Sequence, residues 1–158
     1  MKTAGPPVFG SARRPLNAQN SGVPAMKPGK PSTVPLPGNE TLIVDAAVPI
    51  SRYPEMIVFP QKLVDENKAF GYVFGHAGDG NLHVVLVGDS DDEKQWSKLE
   101  LINDQIVTRT VKLGGTCTGE HGIGIGKRKF MALEHGQSDQ LMRQIKQLID
   151  PEGLLNPG

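Results

Sequence analysis

Between Thr41 and Val48 the chain runs Thr-Leu-Ile-Val-Asp-Ala-Ala-Val, apolar and β-branched, which predicts a strand closed by Pro49 and Ser51. Pro54 suits the first turn of a following helix through Met56, Ile57, Leu63 and Val64. Pro60 falls inside that helix, where a proline costs about 3 kcal/mol, so a kink or restart is expected there. Phe70–Phe74 and Leu82–Val87 read as two short strands paired as a hairpin. Strand side chains alternate, so Asn81, His83, Val85 and Val87 share one face.

An acidic run, Asp89 to Glu93, opens a long helix, as its dipole favours. Trp96, Leu99, Ile102, Ile106, Thr110 and Leu113 recur at helical steps on one side, and Gly114-Gly115 ends the pattern. A short helix is expected from Lys127 to His135. After Gly136, Ser138 is expected to cap a last helix with Leu141, Ile145, Leu148 and Ile149 as its buried stripe. The order of elements predicts an α+β domain of the ferredoxin-like, split β-α-β type, with additional C-terminal helices.

Residues 1–40 carry no such periodicity. They are rich in Pro, Gly, Ser, Asn and Lys and are expected to form a disordered arm ahead of an ordered domain at 41–158. A cleaved organelle-targeting peptide is the alternative, disfavoured by prolines that forbid an amphipathic helix. The 158 residues carry no net charge, so composition suggests neither nucleic acid nor a membrane surface as partner. The single cysteine, Cys117, rules out an internal disulfide and fits a reducing compartment. With no apolar run of membrane-spanning length and no signal-peptide stretch, a cytoplasmic location is expected, or one peripheral to the inner membrane.

Chemistry concentrates in two glycine-dense stretches, Gly75-His76-Ala77-Gly78-Asp79-Gly80-Asn81-Leu82-His83 and Gly114 to Gly126. Three of the four histidines lie there, with Glu120 beside His121. Glycine backbone lets imidazole and carboxylate groups approach closely. His76 and His83 flank a strand-to-strand turn, so both rings can point to one side of the sheet. Two neutral imidazoles and a carboxylate suit zinc, manganese or iron(II), with coordination positions left for substrate. The spacing of His76 and His83 is weak evidence by itself; Glu120 must reach the same point.

Beside a bound cation the neutral form of His121 is favoured, leaving it able to accept a proton. His121 could instead be a further ligand or a loop residue bonded to backbone. Asp79 and Asn81 could stand behind the ligands, although Asp-Gly-Asn is also ordinary turn chemistry. His135 fits a helix end, and Cys117 a small buried residue. A phosphate-binding loop ending at Gly126-Lys127 fails: His121 stands where glycine is needed, and Arg128 where Ser or Thr is. The Asp-Ser-Asp-Asp run lacks the glycine and distal glutamate of a calcium loop. Lys127, Arg128 and Lys129 at a helix start hint at an anionic neighbour, although three exposed cations explain them as well.

The two stretches resemble the C-terminal domain of FAD-linked oxidases of the D-lactate dehydrogenase (cytochrome) and glycolate oxidase FAD-subunit kind. So do the segments Val44-Asp45-Ala46-Ala47-Val48-Pro49-Ile50-Ser51-Arg52-Tyr53-Pro54-Glu55 and Asp150-Pro151-Glu152-Gly153-Leu154-Leu155-Asn156-Pro157-Gly158. The resemblance covers about Leu42 to Gly158. It implies a divalent metal, zinc or manganese first and iron next, on His76, His83 and Glu120, with His121 as catalytic base. Asn81 would help position the substrate and Asn156 would lie near the flavin. The substrate implied is a small 2-hydroxy acid whose hydroxyl proton passes to His121 and whose C2 hydride passes to FAD. The electron acceptor would be a cytochrome or quinone. The domain that binds most of the FAD is expected outside this sequence, on a separate flavin-domain chain or a longer parent. The rival reading is a non-catalytic metal-binding or subunit-interaction module.

Overall fold

The structure, a computed structural model, describes residues 39–157; the arm expected at residues 1–40 lies almost wholly outside them. Three strands, β1 (Asn39–Ala47), β2 (Phe70–His76) and β3 (Asn81–Asp89), form a sheet in the order β1-β3-β2. The third strand runs antiparallel to both neighbours, so β1 and β2 are parallel to each other with β3 inserted between them. Helix α1 (Tyr53–Glu66) connects β1 to β2, completing the expected split β-α-β unit. Helix α2 (Glu93–Lys112) follows β3. Where a fourth strand would lie beside β1, there is a single antiparallel bridge, Ala47 to Thr116.

Both long helices pack on one face of the sheet. Val44, Ala46, Leu82, Val84 and Leu86 from the strands meet Met56, Leu63 and Val64 of α1 and Leu99, Ile102, Ile106 and Val107 of α2. The helical face expected from Leu99, Ile102, Ile106 and Thr110 is therefore the buried one. Asp92 caps α2, its side chain accepting from the Lys94 and Gln95 N–H groups, and Gly114 follows the C-cap in the left-handed region.

Three local expectations need correction. Helix α1 neither stops nor restarts at Pro60, which is buried inside it. The lost bond is one Met56 carbonyl contact, and burial of Met56, Pro60, Leu63 and Val64 on one side offsets it. Ser138 is not a cap: α4 (Gln137–Ile149) begins one residue earlier, behind Gly136, without a side-chain cap. The Leu141, Ile145, Leu148 and Ile149 stripe is exposed, and α4 buries no residue at all. The periodicity there correctly reports an amphipathic helix, but nothing in the described residues covers its apolar side. A 3-10 turn (Arg128–Phe130) and α3 (Met131–His135) together occupy the expected Lys127–His135 helix.

The opposite sheet face carries alternate residues of all three strands. In the register, Thr41, Val87 and Phe70 form one row, and Ile43, Val85 and Tyr72 the next. Asp45, His83 and Phe74 form the third, and Ala47, Asn81 and His76 the last. At the first two rows this face is open, with Ile43, Phe70 and Tyr72 exposed. At the last two, the loop after α2 closes over it, and this loop makes the site.

Candidate metal centre

The two final rows of the sheet bring His76, Asn81, His83 and Asp45 onto one face by pairing and alternation alone. The β2–β3 turn, Ala77–Gly80, is tight, with Gly80 in the left-handed region (φ 71°) and the Asp79 N–H donating to the His76 carbonyl. Added to Gly80, a Cβ would lie 2.1 Å from the Val48 carbonyl oxygen, so only glycine lets the end of β1 pass this closely. The sequence of this turn thus fixes where the two histidines emerge.

Glu120 and His121 arrive on the loop after α2. Glu120 Oε1 is 3.0 Å from His83 Nε2 and 3.8 Å from His76 Nε2. The rings of His76 and His83 stand edge to face, with centroids 5.5 Å apart. One ligand atom each from His76, His83 and Glu120 lies within 4.8 Å of the others. Metal bonds of about 2.0–2.1 Å at tetrahedral angles separate neighbouring ligand atoms by roughly 3.4 Å. The 3.0 and 3.8 Å separations bracket that value, and two imidazoles with one carboxylate are a donor set for zinc, manganese or iron(II). The residues fit such an ion. His83 is buried, whereas His76 and Glu120 are exposed, so the site faces outward and leaves coordination positions accessible.

His121 Nε2 is also 3.8 Å from Glu120 Oε1, and its ring meets that of His83 edge to face at 5.6 Å. The four expected residues His76, His83, Glu120 and His121 are thus brought together, with buried Asn81 beside them, its Nδ2 3.5 Å from His83 Nε2. Asn156 lies apart in this respect. It is exposed in the C-terminal tail, with a left-handed backbone (φ 48°), and no hydrogen bond or ion pair joins it to the cluster. His135 pairs with Glu134 at the end of α3, and buried Cys117 has its N–H bonded to Glu134.

Two residues that sequence reasoning left without a role stand at the centre of this arrangement. Asp45, 1% exposed, holds the loop by its Oδ2, which accepts from the N–H groups of Gly119 (3.0 Å), Glu120 (3.0 Å) and His121 (2.9 Å). Lys127 reaches the same carboxylate, its Nζ 3.7 Å from Oδ2, and donates to the Asp45 carbonyl. Burial pulls the Asp45 carboxyl upward, but the His121 and Glu120 N–H groups, the Lys127 charge and the Gly119 N–H outweigh it. Its pKa is held below the ordinary carboxylate value. The anionic neighbours hinted at by the Lys127-Arg128-Lys129 run are Asp45 for Lys127 and Asp104 for Lys129. The signal for Asp45 was present: a carboxylate in the middle of an apolar strand needs partners. Asp45, His83 and His121 also form a second compact donor group. A cation there would meet the Lys127 ammonium beside the same carboxylate, so the His76, His83 and Glu120 set is the better site.

Comparison with known proteins places the chain in a family. The family described as FAD linked oxidases, C-terminal domain, matches residues 34–158. The chain belongs to that family. Over 123 residues it is 40% identical to a mitochondrial D-lactate dehydrogenase [cytochrome] of Arabidopsis thaliana, covering 77% of this chain and 22% of the relative. It is 41% identical over 114 residues to the mitochondrial D-lactate dehydrogenase [cytochrome] 1 of Saccharomyces cerevisiae, covering 72% and 19%. With the glycolate oxidase subunit GlcD of Bacillus subtilis it shares 33% identity over 119 residues, covering 75% and 25%. The chain thus spans about a fifth to a quarter of the length of these FAD-linked oxidase relatives. Among the described residues, no helix is long and apolar enough to cross a membrane.

Proposed function

We propose that this chain supplies the metal-binding and proton-accepting half of a flavin-dependent dehydrogenase acting on a small D-2-hydroxy acid of the lactate or glycolate class. The observation that carries the reading is the convergence of His76, His83 and Glu120 within 4.8 Å, with His121 against them. When bound, the divalent ion supplies Lewis acidity toward the hydroxyl and carboxylate of such an acid, and FAD supplies the hydride acceptor.

The chain's own residues then have separable tasks. Nε2 of His83 and of His76, with Glu120 Oε1, would face the ion, and the outward exposure of His76 and Glu120 leaves room for substrate. His121 accepts the hydroxyl proton at its imidazole, being, among the described residues, the one histidine of the cluster not assigned to the ion and lying 3.8 Å from Glu120 Oε1. Asn81, buried beside His83, would offer its amide for one hydrogen bond that helps position the substrate. Ile43, Tyr72 and Phe74 form an apolar face continuous with the metal cluster, of the kind a flavin-bearing partner surface would cover. The assignment of Asn156 to the flavin rests on the resemblance of the tail alone. In the relatives' names the acceptor is a cytochrome, and a cytochrome or quinone is the acceptor we assign to this system.

A chimaera tests the proposal. Residues 42–158 would replace the matching segment of the Arabidopsis D-lactate dehydrogenase, with D-lactate-dependent cytochrome c reduction as the readout. Activity that depends on added divalent metal and disappears in His121→Ala is expected. A folded, flavin-loaded and metal-loaded chimaera whose turnover is indifferent to His121→Ala would overturn the role of that residue.

A further inference from the structure

Asp45 Oδ1 and His83 Nδ1 face each other across the β1–β3 register pair at 3.6 Å, both side chains buried. Among the described residues, Asp45 Oδ1 has no hydrogen-bond partner, although Oδ2 of the same carboxylate has four donors: three loop N–H groups and the Thr118 hydroxyl. Among the described residues, no other group forms a hydrogen bond with His83 Nδ1. The separation is a few tenths of an ångström beyond a hydrogen bond, and neither atom has another hydrogen-bond partner among the described residues.

We propose that Asp45 is the positioning residue of the metal centre: it selects the His83 tautomer with its proton on Nδ1, leaving the Nε2 lone pair for a divalent cation, and the same carboxylate clamps the loop that delivers Glu120 and His121. The proposal rests on the metal reading and adds a residue that neither binds the ion nor touches substrate. Its physics is a competition for one proton. On Nε2, the proton would face Glu120 Oε1, a half-exposed oxygen that water satisfies equally well. On Nδ1, it faces Asp45 Oδ1, which is buried and has no other donor among the described residues, and leaving a buried carboxylate oxygen unserved is the costlier choice. A carboxylate behind a metal-binding imidazole is a recurrent way of fixing ring orientation and tautomer.

The isosteric change Asp45→Asn separates the two tasks. The three loop N–H groups still need an acceptor, so the amide oxygen takes the Oδ2 position and the NH2 group turns toward His83. An N–H donor there makes Nδ1 an acceptor and moves the imidazole proton to Nε2, the atom meant for the metal.

The test uses the full chain, with histidine nitrogens labelled with 15N, metal-free at about pH 8, above the ordinary histidine range. Long-range proton–nitrogen spectra report the tautomer directly, and zinc titration of the same samples reports affinity. Wild type is expected with His83 protonated on Nδ1. Asp45→Asn is expected with the proton on Nε2, zinc affinity about 10–100-fold weaker, and Gly119, Glu120 and His121 amide signals still dispersed. Wild-type His83 protonated on Nε2 would overturn the proposal without any variant, so a poorly folded Asp45→Asn does not shield it. An unchanged tautomer with unchanged zinc affinity in Asp45→Asn would overturn it too. Failure of wild type to bind zinc would refute the metal reading instead, and the tautomer measurement would still stand apart from it.

Discussion

Replacing Gly119 with alanine should damage this protein more than the same change a few residues along the same loop. A Cβ at Gly119 would sit 2.3 Å from Asn81 Oδ1 and 2.5 Å from Asp45 Oδ1. Heavy atoms attract at roughly 3.5–4.0 Å, so this is deep overlap. Both oxygens belong to buried side chains, and that of Asp45 is further held by its bonds to the loop N–H groups. Overpacking of this sort costs about 1–3 kcal/mol where the surroundings hold still. If the loop lifts instead, the Gly119 N–H and a neighbour lose their bonds to the Asp45 carboxylate, each worth about 1.5–3 kcal/mol. With water recovering part of the loss at the exposed loop, the expected destabilisation is about 3–5 kcal/mol. At about 4 °C per kcal/mol, the melting temperature should fall by roughly 12–20 °C. Gly126→Ala is the control: nothing lies within 4 Å of its would-be Cβ, and its backbone is not left-handed. It should stay within about 0.5 kcal/mol of wild type. Urea and thermal unfolding of the two variants, followed by circular dichroism, decide the matter. If Gly119→Ala and Gly126→Ala melted together, the close seating of the loop on Asp45 would be wrong.

Other expectations follow from the same packing. Burial, assisted by Glu134, pushes the Cys117 thiol up to about 12, so a disulfide reagent at neutral pH should label it only at the rate of unfolding. The Asp45 carboxyl has a folded value below its unfolded one of about 3.8. Its contribution to stability is therefore complete above that unfolded value and disappears as the pH falls through the folded one. Acid titration of Asp45→Asn should accordingly show a flatter loss of stability than wild type over that window; a curve parallel to wild type would contradict the assignment. Ile106→Ala, at a fully buried position, should cost about 2–5 kcal/mol. Leu148→Ser, at a position 83% exposed, should change the stability of the isolated chain by less than about 0.5 kcal/mol, as chemical denaturation would register.

Elements with a single environment were legible in advance. Helix α2 reads off its Leu99, Ile102, Ile106 and Thr110 spacing because one side meets the sheet along its whole length. The strands around the Gly75–His83 turn were legible for a similar reason, and alternation alone placed Asn81 and His83 on one face. What sequence could not supply were relations across the chain. Nothing local says that Asp45 stands opposite His83, or that three consecutive N–H groups of a distant loop converge on its carboxylate. Lys127 looked like one of three surface cations because its partner lies in β1, far away in sequence. The stripe of α4 shows the complementary limit: Leu141, Ile145 and Leu148 reveal an apolar side, but periodicity carries no information on what covers it. The restart expected at Pro60 did not occur because helix propensity is a weak prior beside burial against the core.

His76, His83 and Glu120 are expected together to hold one divalent cation. Calorimetric titration of the metal-free full chain with zinc tests it most directly, with His76→Ala and Glu120→Ala run beside wild type. One ion per chain is expected in wild type and a marked loss of affinity in each variant, with folding retained because both side chains are exposed. Wild type that takes up no zinc, manganese or iron(II), or variants that bind as tightly as wild type, would contradict it.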